Sequence, residues 1–571
     1  MTSFRNAFCF AAIFVCAGQV VASEPINWRV VLSSSSSTVL LPQLPTGGYS
    51  MFPLPGEVSD SSAATPGFNL TRDDGRKGLW REFAGNLQPY AETGITGAVG
   101  PGRTGGESLH VFRLLGAFDS NDKDQRIFAA RAGDPVQSID DASYGIWTVG
   151  NTGNVEIART GTDGALGPGI GSQWFFSTDF DFVDSVNFAH LHALPAGGVL
   201  LDSSVSPPPG QPYSKREALV RHTPGIGNVA CAVARSTDPL LAPGVMINDY
   251  FEGLGRAGTS KRGEVFAIAY AVTQTPTITT RRGIWQFCEG APQVQVLSAD
   301  TGNLGPGISG SASAVFDTFE PIIAPTGAGA FYFSAVGSNP SFKGIFHHAN
   351  GHNTPVLLNG VQGALGPGIA GFAFSQVIDF HPMSAGRFGL VFARIQAVGG
   401  GNDRFGLWRL RPDAPPEPLL LQGDNGAYGG PVPERRWDTV VASNVFENGV
   451  VVFVASTWTP PSATRRLSLW RMRPGELPEE ILKTGDTVRF PTSAGVELRA
   501  VRGISSINLG TGSAGLQNHA GDDSWVSASG SVFVEAELDG MEGLIYPTRY
   551  LRAQVTNPTV MFEDSFELRG N

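Results

Sequence analysis

Long apolar runs are almost absent from this sequence. After a stretch from Ala7 to Val21, no apolar run is long enough to cross a membrane. Lysine is also scarce, with six Lys against 34 Arg and no basic run, and the formal net charge is −11. Because non-specific nucleic-acid binding depends on neutralising phosphates, this charge pattern argues against a nucleic-acid partner.

The N-terminus has the pattern of a secretory signal peptide. Arg5 provides the positive charge, the stretch from Ala7 to Val21 is apolar, and Val20 and Ala22 are small residues that suit a cleavage site before Ser23. We therefore predict that residues 1–22 are removed and that the protein is secreted or lies at the cell surface. A retained membrane anchor is the alternative.

Cysteine is scarce as well. Of four cysteines, two precede the predicted cleavage site, so the mature chain keeps only Cys231 and Cys288. Two cysteines in an exported protein can form a disulfide, and they can equally be two buried thiols. The spacing in sequence leaves both alternatives open.

Glycine and proline, in contrast, are abundant. The chain of 571 residues contains 73 Gly and 40 Pro, together with 41% apolar and 10% aromatic residues. The apolar content is sufficient for a folded core, and the frequent backbone breaks favour many short strands over long helices. We find no segment with the 3.6-residue period of a helix.

Two short motifs recur along the chain. "GALGPGI" occurs at Gly164–Ile170 and again at Gly363–Ile369, and "GNLGPGI" occurs at Gly302–Ile308. The Leu of this motif or its equivalent recurs at intervals of 67, 75, 63, 61 and 63 residues, at Val99, Leu166, Leu241, Leu304, Leu365 and Tyr428. A second motif, small–apolar–aromatic, keeps the same period, with starts at Gly78, Gly145, Gly283, Gly344, Gly406, Ser468 and Gly543 and a degraded copy at Ala218. Two motifs with one period indicate an internal repeat.

One repeat predicts four strands. "GIFHHA" from Gly344 is a short strand, Asn350-Gly351 is a hairpin turn, and "HNTPVLLN" is the return strand. The G-P-G segment suits a type II turn, and two more strand-like segments follow it. Units of four strands that bury one another in a ring form a β-propeller, whereas a solenoid coil would be shorter and a β-sandwich longer. We predict an all-β propeller with each unit beginning at the small–apolar–aromatic motif.

The number of blades depends on the chain ends. Eight motif starts predict eight units, but the last, at Gly543–Tyr546, has too little chain after it for four strands. Strands from residues 23–77 would complete this unit and close the ring, which gives eight blades in one domain at 23–552 and a tail at 553–571. Seven blades are the alternative if the N-terminal segment packs outside the ring.

Sequence motifs for known chemistry are absent or explained by the repeat. Segments that begin at Gly100, Gly305 and Gly366 match G-x-G-x-x-G, but strand-like sequence follows them where a dinucleotide site needs a helix. We therefore interpret them as turns. No G-x-S-x-G, H-E-x-x-H or P-loop sequence occurs. The sequence predicts no cofactor.

Histidines in "HHANGH" are candidate metal ligands. With Asn350-Gly351 as the turn, Ala349 faces His352, so His347 and His352 share one sheet face while His348 points away. Two imidazoles hold a metal only with a third ligand, which this segment does not supply. We therefore expect no tightly bound metal at this hairpin.

Aspartates follow the glycine-rich motif at similar distances in four repeats, at Asp179, Asp317, Asp379 and Asp438. In a propeller such positions would form a ring of carboxylates that could bind Ca²⁺, which prefers several oxygen ligands. The alternative is that they form hydrogen bonds at turns and strand ends.

The combined pattern resembles the NxxGxxxAF-type tandem-repeat proteins that bacteria export. The glycine-led strand "NGVVVFVAS" at Asn448 precedes a small–apolar–Trp strand, and the G-x-φ-x-F part of the family repeat is reproduced in Gly449–Phe453. The resemblance extends from about Gly78 to Pro547 and implies a secreted, propeller-like protein without an established activity. The ending "MFEDSFE" at Met561–Glu567 resembles short tails of exported proteobacterial proteins.

Two functions fit these observations. The first is a non-enzymatic binding protein, a monomer that binds an extracellular protein or glycan. The alternative is a secreted hydrolase or lyase that acts on a polysaccharide through carboxylates near the central channel. A local cluster of acidic residues, His and Arg that breaks the repeat would favour the enzyme, because degenerate repeat loops carry no such cluster.

Overall fold

The computed structural model consists of strands with a few 3₁₀ turns, and its described residues contain no α-helix. The residues described are 26, 29–33, 49–50, 67–72, 75–83, 86–121, 125–177, 191–194, 197–208, 215–236, 238–245, 249–260, 263–273, 278–327, 329–382, 388–401, 403–424, 428, 434–446, 448–462, 464–492, 495–504, 530–539 and 548–554. The predicted signal peptide, the tail from residue 555 and the predicted strand Gly543–Tyr546 lie outside them.

The strands form seven open sheets and one closed five-stranded barrel; we call the sheets blades 1 to 7 and the barrel blade 8. The first strand, β1 (Arg29–Ser33), belongs to blade 8. Blade 1 contains β2 (Tyr49–Ser50), β3 (Gly67–Arg72), β4 (Lys77–Phe83) and β5 (Asn86–Glu92). Blade 2 contains β6 (Val111–Ser120), β7 (Arg126–Gly133), β8 (Ser143–Gly150) and β9 (Gly153–Arg159). Blade 3 contains β10 (Phe175–Phe176), β11 (Leu191–Ala193), β12 (Val199–Ser206), β13 (Arg216–Thr223) and β14 (Gly227–Val233).

The remaining blades follow in chain order. Blade 4 contains β15 (Tyr250–Thr259), β16 (Val265–Thr273), β17 (Thr279–Phe287) and β18 (Gln293–Leu297). Blade 5 contains β19 (Val315–Gly327), β20 (Ala330–Ser338), β21 (Phe342–Ala349) and β22 (His352–Leu358). Blade 6 contains β23 (Phe372–Pro382), β24 (Gly389–Ala397), β25 (Arg404–Arg411) and β26 (Ala414–Leu421). Blade 7 contains β27 (Arg436–Val445), β28 (Val451–Trp458), β29 (Arg465–Met472) and β30 (Glu479–Leu482). Blade 8 contains β31 (Thr487–Thr492), β32 (Gly495–Ile504), β33 (Ser531–Leu538), β34 (Thr548–Gln554) and β1. The 3₁₀ turns are Gly97–Val99, Gly105–Glu107, Ile139–Asp141, Gly164–Leu166 and Gly363–Leu365.

The predicted all-β propeller is confirmed, with a correction to where each unit begins. The small–apolar–aromatic strand is the third strand of its sheet in blades 1 to 7, as β21 is in blade 5, and does not begin the unit. The glycine-rich motif therefore lies between two blades, where the chain leaves one sheet and enters the next. The sequence period was right and its starting point was wrong, because a repeat pattern does not show which strands share a sheet.

The two ends of the chain meet in blade 8. β1 pairs antiparallel with β34, from Arg29 opposite Arg552 to Ser33 opposite Arg549, and parallel with β31 at Arg29 and Arg489. β2 belongs to blade 1, so the N-terminal segment connects the last sheet to the first. Counted this way, the described strands form eight blades.

Apolar clusters fill the spaces between successive blades. Each of six clusters combines residues of two neighbouring sheets, from blades 1 and 2 through to blades 6 and 7. The largest buried side chains include the motif residues Trp147, Trp285 and Trp408. Burying one large apolar side chain stabilises by about 1.5–3 kcal/mol, so these repeated contacts supply much of the stability of the ring.

The two sequence motifs contact one another. The indole Nε1–H of the motif Trp donates to the Pro carbonyl of the turn before its blade, from Trp147 to Pro101 at 3.0 Å, Trp285 to Pro243 at 3.1 Å and Trp408 to Pro367 at 2.9 Å. The second Gly of each G-P-G turn has φ near +65° and packs against the last strand of the blade that follows the turn. In the turn before blade 3, for example, a Cβ at Gly169 (φ +69°) would lie 1.9 Å from the Asn228 carbonyl oxygen of β14. This packing explains why both motifs recur together.

A backbone hydrogen bond joins each blade to the next, and we call it the link bond. Its donor N–H belongs to the link residue, which follows the last strand of one blade, and its acceptor carbonyl lies near the start of the next blade. The seven link bonds measure 2.7–3.1 Å and run from Gly94 to Phe112, Gly161 to Phe176, Arg235 to Phe251, Ala299 to Phe316, Gly360 to Phe374, Gly423 to Trp437 and Gly485 to Val501. All seven link residues have positive φ, and five of them are glycine.

A disulfide also joins two blades. Cys231 on β14 and Cys288 directly after β17 are bonded, with Cα atoms 4.7 Å apart, and this bond connects blade 3 to blade 4.

Candidate functional site

The start of each blade repeats one local geometry. In six blades the residue after the acceptor of the link bond lies in a β-bulge, where the pairing register shifts by one residue. These bulge residues are Arg113, Glu252, Asp317, Ser375, Asp438 and Arg502. The position is polar in all six blades, but its charge varies from one blade to the next.

Two of the four predicted aspartates share this position. The Asp317 carboxylate accepts a hydrogen bond from Ser338 Oγ at 2.9 Å, and the Asp438 carboxylate accepts one from Ser456 Oγ at 3.0 Å. Asp438 also pairs with Arg465 at 3.0 Å. Both carboxylates therefore form hydrogen bonds at a strand end, as the alternative interpretation expects.

The other two aspartates do not complete a ring. Asp379 lies four residues further along β23 than the bulge residue Ser375. Asp179 lies outside the described residues. The similar spacing in sequence therefore did not give Asp317 and Asp379 equivalent positions, because the link-bond acceptor Phe316 lies 12 residues after Leu304, whereas Phe374 lies nine residues after Leu365. Within the described part of the chain, no three His, Cys, Asp or Glu residues are grouped to hold a metal ion.

The histidine hairpin has the predicted register, with Ala349 opposite His352. His352 is exposed, while the His347 ring lies 4.8 Å from the Tyr332 ring and is half-buried. Burial and the neighbouring His348 lower the pKa of His347 to about 4. His348 is buried, and its Nδ1 lies 2.8 Å from the Asn353 side-chain oxygen. We assign His348 a structural role, since the Asn353 amide in turn donates to the Gly305 carbonyl of the glycine-rich turn.

A buried ion network occupies blade 2. Arg103 replaces the apolar residue that follows G-P-G in other blades, and its guanidinium contacts Glu156 at 2.7 and 3.0 Å. Arg159 also pairs with Glu156 and with Glu107. The Glu156 side chain is only 7% exposed and is held by two guanidinium groups. Such a satisfied network stabilises the blade and leaves no carboxylate oxygen free for chemistry.

Residues that depart from the repeat also meet between blades 3 and 4. Arg235 is the link residue between these blades and has φ +58°, whereas five of the seven link residues are glycine. Its guanidinium pairs at 2.5 Å with Glu252, the bulge residue of blade 4. Glu217 at the start of β13 and Asp202 on β12 lie beside them. We call Asp202, Glu217, Arg235 and Glu252 the junction cluster.

Glu217 extends from blade 3 to the first strand of blade 4. Its Oε2 accepts a hydrogen bond from the Leu254 N–H at 2.6 Å. Burial is the largest cause that raises the pKa of Glu217, and the negative charges of Asp202 and Glu252 raise it further. The hydrogen bond from the Leu254 N–H and the positive charge of Arg235 lower it, but by less. Asp202 shares its sheet face, because Ser204 is opposite Glu217 and Asp202 lies two residues away.

The junction cluster therefore contains carboxyl groups in different environments. Glu217 is exposed, its pKa is raised, and its carboxyl group is fixed by the Leu254 N–H. Glu252 is 43% exposed and is ion-paired with Arg235. A carboxyl group with a raised pKa beside an ion-paired one is an arrangement suited to acid–base chemistry.

The sequence analysis did not identify these residues. Its closest indication was the degraded motif at Ala218, which follows Glu217 directly and belongs to the blade that departs most from the repeat. The link position could not be recognised from sequence, since its positive φ and its hydrogen bond to the next blade are tertiary properties.

The chain matches no protein-family model, and no curated protein sequence matches it. Among solved structures, it is similar to polysaccharide lyase Uly1, with a TM-score of 0.34 and 9% identity over 79% of this chain and 97% of the lyase. An ulvan lyase bound to -[GlcA(1-4)Rha3S]- has a TM-score of 0.27 and 8% identity over 77% of this chain and 94% of its own. An α-L-arabinanase from Penicillium chrysogenum complexed with arabinobiose has a TM-score of 0.22 and 10% identity over 64% of this chain and 91% of its own. Similarities this low carry no argument about activity or substrate.

The described residues include no helix with the length and apolar character of a membrane span.

Proposed function

We propose that the protein hydrolyses glycosidic bonds of a polysaccharide at the junction cluster. In this proposal Glu217 is the general acid that protonates the departing glycosidic oxygen. Water supplies the oxygen that bonds to the sugar carbon as the glycosidic bond breaks, and the proton that this water loses passes to Glu252, the second carboxylate. Most glycoside hydrolases use two carboxyl groups in different environments, and the cluster contains such a pair.

The environment of Glu217 is the observation that carries this proposal. Glu217 is exposed at the surface of β13, yet partial desolvation and the negative charges of Asp202 and Glu252 raise the pKa of its carboxyl group. The Leu254 N–H fixes one oxygen at 2.6 Å, so the position of the carboxyl group is determined by the strand of the next blade. A general acid requires both a proton and a fixed position.

Arg235 is the positioning residue for the second carboxylate. It has a left-handed backbone conformation, which costs roughly 1–2 kcal/mol for a residue with a Cβ. Its N–H forms the link bond to Phe251, one residue before Glu252, while its guanidinium pairs with the Glu252 side chain. Positive φ is common to all seven link residues, so the feature particular to this junction is the Arg235 side chain, which holds the Glu252 carboxylate.

The compartment fits the proposed substrate. The N-terminal sequence predicts export, and the disulfide between Cys231 and Cys288 is consistent with an oxidising environment. We propose that the protein acts outside the cytoplasm, where polysaccharides occur.

The test is product release from a panel of plant, algal and bacterial polysaccharides by the chain that begins at Ser23. We expect new reducing ends from at least one polysaccharide, and we expect Glu217→Gln to lower the rate at least about 100-fold because the proton donor is lost. Glu320→Gln is the matched control, since Glu320 is a half-buried, ion-paired carboxylate of blade 5 outside the cluster. Equal rates for Glu217→Gln and the unaltered protein would overturn the proposal.

Non-enzymatic glycan binding is the second candidate. It is favoured by a cross-strand pair of Arg and an aromatic ring at the same position in three blades: Arg131 with Tyr144, Arg282 with Tyr270, and Arg394 with Phe405. Repeated sites suit a protein that binds a repeating polymer. Glycan binding without release of product from any panel member would support this candidate over hydrolysis.

A further inference from the structure

We propose that Tyr270 and Arg282 form a sugar subsite beside Glu217, and that this subsite takes a sugar residue bearing a carboxylate or sulfate group. The inference rests on the proposed function, since it extends the same site to its substrate. Tyr270 and Arg282 are opposite one another on β16 and β17, and the guanidinium lies 5.3 Å from the centre of the ring.

The pair lies next to Glu217 because of a glycine. Gly253 follows the bulge residue Glu252 on β15, and it is opposite Tyr270. A Cβ at Gly253 would lie 3.4 Å from Glu217 Oε2 and 4.0 Å from Tyr270 Cδ2. The missing side chain thus leaves open the space between the carboxyl group and the ring. The equivalent positions in blades 5, 6 and 7 carry Thr318, Gln376 and Thr439.

The tyrosine ring is accessible. Tyr270 is 40% exposed, although the guanidinium of Arg282 lies over its ring. A partly exposed aromatic ring beside a polar group can pack against the apolar face of a sugar while its neighbour makes polar contacts. The hydroxyl and ring of Tyr270 therefore provide a surface for a sugar residue adjacent to the bond that Glu217 would protonate.

Within the described parts of the chain, Arg282 has no acidic partner, unlike the arginines of the other two Arg–aromatic pairs. In blade 2 Arg131 lies 3.8 Å from Asp140, and in blade 6 Arg394 pairs with Asp403 at 3.2 Å. Those two arginines lie on the second strand of their blades, whereas Arg282 lies on the third strand and its aromatic partner on the second. Among the described residues no carboxylate pairs with Arg282, and its buried Nε–H has no hydrogen-bond partner.

The ligand is inferred from this guanidinium without an acidic partner. In the other two Arg–aromatic pairs a carboxylate of the same blade neutralises the arginine, so an anionic group of the ligand can do so for Arg282. Arg binds carboxylate and sulfate groups through paired N–H donors, and both groups occur on acidic polysaccharides. The shared requirement is a negatively charged sugar residue.

The test measures binding to an array of oligosaccharides by the protein that carries Glu217→Gln, which removes turnover. The array holds oligogalacturonates, oligoguluronates and sulfated galactan oligosaccharides, each beside its carboxyl-reduced or desulfated counterpart. We expect one anionic class to bind better than its neutral counterpart, and the class that binds distinguishes carboxylate from sulfate. Equal binding of every pair, or no binding at all, overturns the proposal.

Two pairs of variants locate the subsite. Arg282→Gln should weaken binding of the anionic oligosaccharide at least about tenfold, the size expected for one charge-assisted contact. Arg394→Gln should leave it unchanged, because that guanidinium has its own aspartate. Tyr270→Ala should also weaken binding by removing the ring that packs against the sugar, whereas Phe405→Ala, which removes the ring of the blade 6 pair, should not. Unchanged binding in both Arg282→Gln and Tyr270→Ala would show that the subsite lies elsewhere.

These results are separable from the proposed hydrolysis. Loss of hydrolysis in Glu217→Gln together with unchanged binding in Arg282→Gln would retain the hydrolase and reject the subsite. Selective loss of anionic binding in Arg282→Gln, without hydrolysis by any form of the protein, would retain the subsite and reject the hydrolase.

Discussion

Single residues at the link position determine how the blades are connected. All seven link residues have positive φ, which glycine adopts freely and other residues adopt at a cost. Two of them are not glycine. Arg235 belongs to the junction cluster, where its side chain pairs with Glu252, but Ala299 has no comparable contact that requires a side chain.

Substitutions at two link residues should change the stability of the protein in opposite directions. Ala299→Gly should stabilise the protein by roughly 0.5–1 kcal/mol because the φ of +57° is no longer strained. Gly360→Ala should destabilise it by about 1 kcal/mol through the backbone alone, since no atom lies within 4 Å of the added Cβ. Urea unfolding measures both changes. Ala349→Gly, in a regular strand, is the control and should destabilise; a loss of stability in Ala299→Gly would contradict the prediction.

His347 predicts a pH dependence of stability. Its pKa is about 4 in the folded protein, whereas an unfolded histidine has a pKa near 6.5. Between these values the unfolded chain binds more protons, so this group makes folding less favourable as the pH falls from about 6.5 to about 4. His347→Gln should therefore lose less stability than the unaltered protein between pH 7 and pH 5, as measured by urea midpoints. Parallel losses in the two proteins would show that His347 does not contribute.

At the scale of the element, the third strand of a blade and the turn before that blade form one unit. In blades 2, 4 and 6 the motif Trp extends from its strand to the Pro carbonyl and fixes the blade to the connection that precedes it. Phe346 occupies the same position in blade 5 and has no N–H to donate. The hydrogen bond is thus an addition to the packing of the aromatic ring, which occurs in every blade with this motif.

This bond can be tested in blade 6. Trp408→Phe should destabilise the protein by about 1–3 kcal/mol, partly because the buried Pro367 carbonyl loses its donor at 2.9 Å. Trp470→Phe in blade 7 is the matched control, since the Trp470 Nε1–H has no partner within the described residues. We expect the loss in Trp408→Phe to be larger by about 1 kcal/mol in urea unfolding. Equal losses would show that the hydrogen bond contributes nothing.

For the whole molecule, stability depends on contacts between sheets. Six apolar clusters and seven link bonds connect neighbouring blades, and β1 connects the two ends of the chain within blade 8. Blades 2 to 6 are therefore each packed between two neighbours, which is how a repeat unit buries both of its apolar faces.

Removal of β1 should therefore affect more than the N-terminus. A chain that begins at residue 45 lacks Arg29–Ser33 and leaves β34 and β31 without their shared neighbour. We expect its Tm to fall by more than about 3 °C relative to the chain that begins at Ser23, because an open sheet edge and the end of blade 8 become exposed. Scanning calorimetry of both proteins measures this. An unchanged Tm would show that the N-terminal segment is peripheral.

The repeat period and the strand content were determined by the sequence alone. Turns such as Asn350-Gly351 and the G-P-G segments impose local backbone geometry, and apolar alternation predicts strands between them, so both could be read without a structure. The register of Ala349 opposite His352 follows from the turn in the same way. These features depend on neighbouring residues in the chain.

The grouping of strands and the candidate site were decided only by the tertiary structure. Whether the motif strand is first or third in its sheet depends on which strands pair. Asp317 and Asp379 have similar spacing in sequence but different positions, because the connection into blade 5 is three residues longer than the connection into blade 6. Glu217 and Glu252 meet across two blades, and the conformation of Arg235 depends on a hydrogen bond to the next sheet. The protonation of Glu217 in turn depends on burial and on charges that lie far apart in sequence, which no local pattern contains.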